Sequence, residues 1–276
     1  FILNIKLYLV ISSSISSNPP SITLKAGPVG STANQFGSDS YVFNILEDTT
    51  VSVANSRADF ENIEIIEGTR ITQSFTYSAR NPNQRFILTN AGIDTDTIMV
   101  QVKPSEGSSI KIKYDASSSL IDPKTDNVVN ANSTIYFLQE VEDERYEVIF
   151  FVLVFGKALE DGNVVEITYL VCSGPDANRI SNFDFSGKLV YVSDSTENSI
   201  TGGISLISVN TPSTGGDVIE SVSSIKKYAP QVYGTQDRAI TANDYEVLIP
   251  NKIYPEAESI SVFGGEELVP PRFWKS

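Results

Sequence analysis

The sequence contains no histidine, a single cysteine and few basic residues, and each shortage narrows the possible functions. Histidine is the commonest general base and the commonest transition-metal ligand, so its absence argues against hydrolases and zinc enzymes. With Cys172 alone there is no internal disulfide, and stability must come from packing or from partner subunits. The net charge of -14 argues against a nucleic-acid partner, because phosphate binding depends on Lys and Arg. We expect no catalytic residue, no cofactor and no metal.

Long hydrophobic runs are also missing. The run VIFFVLVF at 148–155 is too short to span a membrane and would be prone to aggregate if exposed. The opening FILNIKLYLVISSSISS has the outline of a signal peptide, but Asn4 and Lys6 interrupt it, and its alternation favours a strand. We therefore expect no membrane partner. Because the chain begins with Phe1 instead of Met, we expect an interior piece of a longer protein.

Strand patterns dominate what the sequence does contain. Hydrophobic residues make up 41% of the 276 residues, which is enough for one large domain or two modest ones. Segments that alternate or run apolar over strand length follow one another, separated by turn residues. They are SITLKA, YVFNIL, NIEIIEG, ITQSFTYSA, QRFILTN, TIMVQVK, STIYFLQE, RYEVIF, VVEITYLV, FDFSGKLVYVS and GISLISV. Asp161-Gly162 fits a type I′ turn, in which both central residues need positive φ.

The first of two predicted helices follows Asp217, a plausible N-cap with Glu220 three residues on. Pro230 disfavours helical geometry at the preceding residue, so this helix should end near Ala229. Apolar residues recur along it at three- and four-residue spacing, at Val218, Val222, Ile225 and Ala229. This stripe packs against the protein's own sheet or faces a partner chain, and the spacing alone allows both.

The second helix begins with a capping-box pair, Thr241 and Asp244, and ends at Pro250. Residues Ser259 to Phe263 then predict a strand, followed by a turn at Gly264-Gly265.

The fold class is therefore mainly β with α+β: several short-stranded β modules followed by a small helix-helix-strand C-terminal module. We divide the chain into a β-rich segment at 1–60, a central β-rich domain at 61–210 and a truncated α+β module at 211–276, with TPSTGG at 211–216 as a flexible joint.

One string in this module resembles a known family. KKYAPQVYGTQDRAITANDYEVLI, followed by YP, SISVFGGEE and PPRF, resembles the baseplate wedge subunits of T-even-type contractile-tailed phages, in the baseplate J-like family. The similarity extends more weakly back toward residue 60, through NQRF, DTDT, YEVIF, FGKALEDGN and ITYLV. The chain departs from the family pattern where it has Phe151-Val152-Leu153, Arg179-Ile180 and Trp274, since glycine or small residues are usual there.

The resemblance implies a structural protein of the virion, located in the tail baseplate, and not an enzyme. It implies that two copies associate within a wedge, that wedges join around the central hub into a ring, and that other wedge proteins bind alongside. Rigid β modules would transmit a rearrangement when the sheath contracts. The candidate interface residues are Val218, Val222, Ile225, Ala229, Asp237 and Arg238. Asp237-Arg238 also fits a structural ion pair or a helix-entry turn.

Other motifs favour plainer interpretations. Asp94-Thr95-Asp96 has the spacing of two hard-cation ligands but lacks the rest of a calcium loop, and a turn with side-chain-to-backbone hydrogen bonds is favoured. The acidic cluster Glu140, Glu142, Asp143 and Glu144 offers a glycosidase pair, Glu142 and Glu144, but is typical of a solvated loop. The alternative function is a secreted β-rich adhesin or carbohydrate-binding module, suggested by Ser/Thr/Asn richness and the acidic balance. The helices from Asp217 to Pro250 favour the wedge.

Overall fold

The chain is mainly β, as predicted, with two helices near its C-terminus. A computed structural model describes residues 2–10, 19–32, 40–81, 83–119, 121–150, 156–182, 184–209, 212–218, 222–236, 238–254 and 259–264. Two compact units divide the chain: unit 1 is Phe1–Gly216 and unit 2 is Asp217–Ser276. The break falls at the end of the TPSTGG segment.

All the strands in the part of the chain that the structure describes lie in unit 1. They are β1 Ile2–Val10, β2 Ser21–Leu24, β3 Gly27–Ser31, β4 Val42–Ile45, β5 Thr49–Ser52, β6 Arg57–Glu67, β7 Thr69–Thr76, β8 Phe86–Ile87, β9 Ile93–Lys103, β10 Ile112–Ala116, β11 Ile135–Val141, β12 Arg145–Ile149, β13 Val164–Val171, β14 Asp184–Phe185, β15 Leu189–Ser193, β16 Thr196–Ile200 and β17 Ile204–Val209. The boundary predicted after residue 60 falls inside β6. The predicted N-terminal strand is confirmed, because β1 pairs with both β6 and β17.

Two sheets form the sandwich region of unit 1. A six-stranded sheet has the order β14-β3-β4-β6-β1-β17, and a four-stranded sheet has the order β16-β15-β2-β5. Alternation along β2 buries Ile22 and Leu24, and β6 buries Ala58 and Phe60 in the same way, so both sheets supply one apolar core. A short 3-10 turn, Gly174–Ala177, adds Ala177 to this core.

The remaining strands form the curled region, residues 69–171. Its seven-stranded sheet has the order β7-β13-β9-β10-β11-β12-β8, and the β10–β11 pair is parallel. The sheet curls around a second core, because its two edge strands meet: the rings of Phe75 in β7 and Phe86 in β8 lie edge to face, 5.6 Å apart. The side-chain amide of Gln73 also donates a hydrogen bond to the Thr89 hydroxyl. The core includes the fully buried Tyr169.

The chain passes between the sandwich region and the curled region twice, from β6 into β7 and after the end of β13. Glu67 is 2% exposed, and its carboxylate accepts hydrogen bonds from the Ser173 N–H and hydroxyl at 3.0 and 2.8 Å. The Cys172 thiol donates to the Glu67 carbonyl at 3.0 Å, and burial raises the pKa of this thiol to about 12. Gly68 has φ +148°, and a Cβ there would lie 3.0 Å from the Val171 carbonyl oxygen. The junction is therefore closely packed.

Two tight turns in the sandwich region use residues other than glycine at positive φ. Asn55 and Ser56 have φ 50° and 57° between the bridged residues Ala54 and Arg57. Asp194 and Ser195 have φ 50° and 61° between β15 and β16. The prediction of a type I′ turn at Asp161-Gly162 is wrong, because positive φ occurs at Gly162 and not at Asp161. The turn instead has positive φ at Gly162 only, and the Asp161 carboxylate accepts a hydrogen bond from the Ala79 N–H.

Unit 2 contains α1 Val222–Thr235 and α2 Ala242–Leu248, which pack against each other, and α2 runs into a π-helical turn, Ile249–Ile253. The prediction that α1 ends near Ala229 is wrong, because Pro230 lies inside the helix. An interior proline removes one hydrogen bond and costs roughly 3 kcal/mol. Its turn is exposed, so water reaches the freed carbonyl, while the following turn packs against α2 and prolongs the helix.

Two further predictions for unit 2 are corrected. Asp217 is not an N-cap, since Val218 is not helical and instead donates its N–H to the Asp217 carboxylate at 2.7 Å; Glu220 lies outside the described residues. Residues 259–264 are described and form no strand. The Val262 N–H donates to the Glu246 carboxylate at 2.9 Å, so a side chain takes the place of a neighbouring strand.

Candidate interface

The first ten residues of α1 are open to solvent. Every residue from Val222 to Gln231 whose burial the structure describes is exposed, and burial begins only at the half-buried Val232 and the buried Thr235. The contact of α1 with α2 is therefore made by its last turn. Isolated helices of this length are marginal in water, so the exposed part of α1 gains little stability from local structure alone.

Three residues of the predicted apolar stripe, Val222, Ile225 and Ala229, lie on this open part of α1. Val222 is 65% exposed, Ile225 is 43% exposed, and Ala229 is exposed as well. Val218, the fourth residue of the predicted stripe, is exposed but precedes α1 and is not helical. Because α1 continues past Pro230, the same face of the helix extends to Val232. There the face is half-buried on the side of α2 and no longer fully exposed to solvent.

Unit 2 exposes more apolar surface than the stripe predicts. Among the described residues, every exposed aromatic side chain lies in this unit: Tyr228, Tyr233, Tyr245, Tyr254 and Phe263. Tyr233 is the most open, at 85%. Large exposed apolar surfaces mark sites of association, and tyrosine is enriched in interfaces. These aromatic residues escaped the sequence-based prediction, although their density between 228 and 263 is visible in the sequence.

The charge of α1 is opposite in sign to that of the chain. Lys226 and Lys227 are exposed, and no acidic residue occurs from Val222 to Thr235, whereas the chain carries a net charge of -14. The Lys227 ammonium lies 4.9 Å from the centre of the Tyr228 ring, within cation–π range. A basic and apolar helix on an acidic protein is complementary to an acidic apolar surface.

The Asp237-Arg238 pair is described in part, since Asp237 lies outside the described residues. The Arg238 guanidinium is exposed and donates to the Gln236 side-chain oxygen at 3.1 Å. The Arg238 N–H donates to the Thr235 carbonyl at 2.9 Å and closes the turn that follows α1. Arg238 thus lies in the helix–helix connection, and its role in an interface stays a prediction.

The start of α2 follows the predicted capping box. The Thr241 hydroxyl accepts the Asp244 N–H, and the Asp244 carboxylate accepts the Thr241 N–H at 2.8 Å. These backbone hydrogen bonds, with one from Ile240, lower the pKa of Asp244. The cap fixes where α2 begins and so places Val247 and Leu248 in the buried contact.

The other sequence candidates occupy structural positions. The turn predicted at Asp94-Thr95-Asp96 is wrong, because these residues lie in β9, although the Asp94 carboxylate does accept the Asp96 N–H at 3.1 Å. Thr97 there accepts the Leu170 N–H, bridging an irregularity in the β9–β13 pairing. Glu142 and Glu144 sit at the exposed tip of the β11–β12 hairpin, with Asp143 and Glu144 at positive φ. Phe151-Val152-Leu153 and Trp274 lie outside the described residues.

Comparison with protein-family models finds no match to this chain, and comparison with curated proteins finds none either. Within the described residues, no helix combines the length and apolar character needed to cross a bilayer. In the same part of the chain, acidic and cysteine side chains do not gather into a group of three or more able to hold a metal ion. The exposed surface of unit 2 is the functional feature that stands out.

Proposed function

We propose that this chain is a structural component of a phage tail baseplate wedge. It self-associates, joins wedges into a ring around the hub, and transmits the conformational change that triggers sheath contraction. Its partners are a second copy of itself, other wedge proteins and the neighbouring wedges. The proposed location is the tail baseplate of the virion, and the role includes no catalytic step.

The apolar surface of unit 2 is the observation that carries an assembly function. Burying one large apolar side chain gains about 1.5–3 kcal/mol, whereas association costs an estimated 4–15 kcal/mol in lost freedom. Val222, Ile225, Tyr228 and Tyr233 are all exposed on α1, and together they are of the size needed to offset that cost. Large apolar interfaces are typical of permanent assemblies.

The sequence resemblance supports the wedge in particular. Its closest part runs from Lys226 to Ile249, which covers most of α1, the connecting turn and α2. This part contains the exposed Tyr228, Tyr233 and Tyr245, whereas the exposed Val222 and Ile225 lie just before it. Unit 1 supports the same role physically, because two packed cores joined through a buried junction form a stiff body.

Quantitative mass spectrometry of purified contractile-tailed particles tests the proposal. We expect this chain in a fixed ratio to known tail proteins, compatible with sixfold symmetry. Its absence from washed, intact particles would refute the wedge. Sedimentation of the purified chain is the second measurement, in which we expect self-association; a monomer that binds glycans would favour a secreted adhesin or carbohydrate-binding module instead.

A further inference from the structure

The last residues of unit 1 are fixed by hydrogen bonds, although the sequence TPSTGG predicts a flexible joint there. Residues Ser213–Gly216 dock on the turn Ala177–Ile180, and we call these two segments the latch. Both lie in unit 1, immediately before unit 2 begins at Asp217. The prediction failed because small residues, which favour flexibility in isolation, also allow a segment to approach a turn closely.

Ser213 is the centre of the latch and is fully buried. Its hydroxyl donates to the Ala177 carbonyl at 2.6 Å and accepts the Ile180 N–H at 2.8 Å. Its backbone N–H donates to the Ile180 carbonyl at 2.9 Å, and its carbonyl accepts the Arg179 N–H at 2.8 Å. Each polar group of Ser213 therefore has a partner in the turn, and loss of the hydroxyl would leave two groups of that turn unpaired.

Asn178 closes the other end of the latch. Its side-chain amide donates to the Gly216 carbonyl at 2.8 Å, and its side-chain oxygen accepts the Gly216 N–H at 3.0 Å. This paired contact fixes the last residue of unit 1. The turn itself is firmly placed, because Ala177 and Ile180, on either side of Asn178, are buried in the sandwich core.

The closed latch carries strain. Arg179 has φ +68°, a left-handed backbone conformation that residues with a Cβ seldom adopt. Its side chain is exposed, so packing does not explain the residue type. The hydrogen bonds of Ser213 and Asn178 favour closure while the backbone of Arg179 opposes it, and opposing terms of this kind make an element switchable.

We propose that the latch is a two-state element that sets the length of the connection to unit 2. In the closed state the free connection begins at Asp217. In the open state, release of residues 212–216 lengthens it by about 17 Å, at 3.3–3.6 Å for each extended residue. The proposal does not depend on the wedge assignment, because the latch lies within unit 1 and its opening is measurable on the purified chain.

Amide hydrogen exchange of the full chain, read by mass spectrometry, tests the latch. With Ser213→Ala or Asn178→Ala, we expect exchange in residues 177–180 and 213–216 to accelerate at least tenfold, while exchange in β13 and β15 is unchanged. With Arg179→Gly we expect exchange there to slow about threefold, because glycine adopts the left-handed conformation without strain. Ser52→Ala, an exposed serine in β5, is the matched control.

Three results would overturn the proposal. Exchange in residues 213–216 of the unmodified chain that is as fast as in an unstructured peptide would mean that there is no closed state. Acceleration of β2 and β15 by the same factor as the latch in Ser213→Ala would make these contacts ordinary core. Faster exchange in Arg179→Gly would show that strain does not oppose closure, and this variant decides the question even where Ser213→Ala fails to fold.

Discussion

Among the residues that the structure describes, unit 1 buries most of its large apolar side chains in two cores of its own, whereas unit 2 leaves most of its apolar residues exposed. In unit 1, Phe43, Phe60 and Tyr169 are completely enclosed, and its described aromatic residues are buried or half-buried. In unit 2, Val247 and Leu248 are the buried apolar residues that the structure describes, beside five exposed aromatic rings. The difference shows that the described apolar side chains of unit 1 have partners within their own unit, whereas those of unit 2 mostly do not.

Local sequence preference does not explain this difference. The helices of unit 2 have 14 and 7 residues, a proline interrupts the longer one, and helices this short are marginal without tertiary contacts. Unit 1 instead gains from pairing distant strands, since β1 lies between β6 and β17. Four measurements test this contrast between the two units.

The largest effect is expected from Phe60→Ala in the sandwich core. Removing this enclosed ring should lower the free energy of unfolding of unit 1 by about 3–5 kcal/mol. Urea denaturation followed by circular dichroism measures the loss. Val192→Ala, at an exposed position of β15, should change stability by less than about 0.5 kcal/mol. Equal losses from both variants would contradict the assignment of the core.

Val222→Asp with Ile225→Asp should prevent association without unfolding the chain. Both side chains are exposed, so the charges cost little in the free protein but would be buried at an interface. We expect the Kd for self-association to rise at least about a hundredfold, or roughly 3 kcal/mol. Sedimentation velocity measures it, and Val192→Asp on unit 1 is the matched control. Unchanged association would remove α1 from the interface.

Alkaline pH should destabilise unit 1. Burial raises the pKa of Tyr114 and Tyr136 from the usual 10.0 to about 12, so their neutral forms favour the folded state. This contribution is fully present below pH 10 and is lost as the pH rises to about 12, by roughly 2–3 kcal/mol for each ring.

Urea denaturation across this pH range measures the loss, with tyrosinate absorbance as the probe of ionisation. Tyr136→Phe should flatten the pH dependence because one titrating group is gone, even though its hydrogen bond to the Ile98 carbonyl is lost too. A stability that does not fall between pH 10 and 12 would contradict the assigned burial.

The smallest effect is expected from Ser195→Gly in the β15–β16 turn. Asp194 and Ser195 both have positive φ, and Asp-Gly is a preferred pair for such a turn. We expect a gain of about 0.5–1 kcal/mol, seen as a higher Tm. Ser199→Gly, inside β16, should lower the Tm because strand glycine is unfavourable. A lower Tm in both variants would exclude a strained turn.

Features that depend on nearby residues were predictable from the sequence. Strand alternation located β2, β6 and β13, and the Thr241–Asp244 pair located the start of α2. β3, Gly27–Ser31, was missed because Pro28 and two glycines argue against a strand. The irregular pairing of β3 with β4 between Pro28 and Gly30 accommodates them, and that pairing depends on a distant segment.

Features that depend on distant contacts were not predictable. Pro230 ends a helix in isolation, but the contact with α2 prolongs α1 past it. The candidate site was predictable in part: the spacing identified Val222 and Ile225, but only the structure shows that they are exposed. TPSTGG gives no sign of the buried partners of Ser213, since these partners come from a turn more than thirty residues earlier.

The chain enters and leaves the curled region at neighbouring positions. Its first residue, Thr69, pairs with its last, Val171, so its ends lie about 5 Å apart. Excising residues 69–171 would leave a gap that a few glycines bridge, and the excised piece carries a complete core of its own. The curled region therefore has the geometry of an inserted domain, because none of its strands belongs to either sheet of the sandwich region.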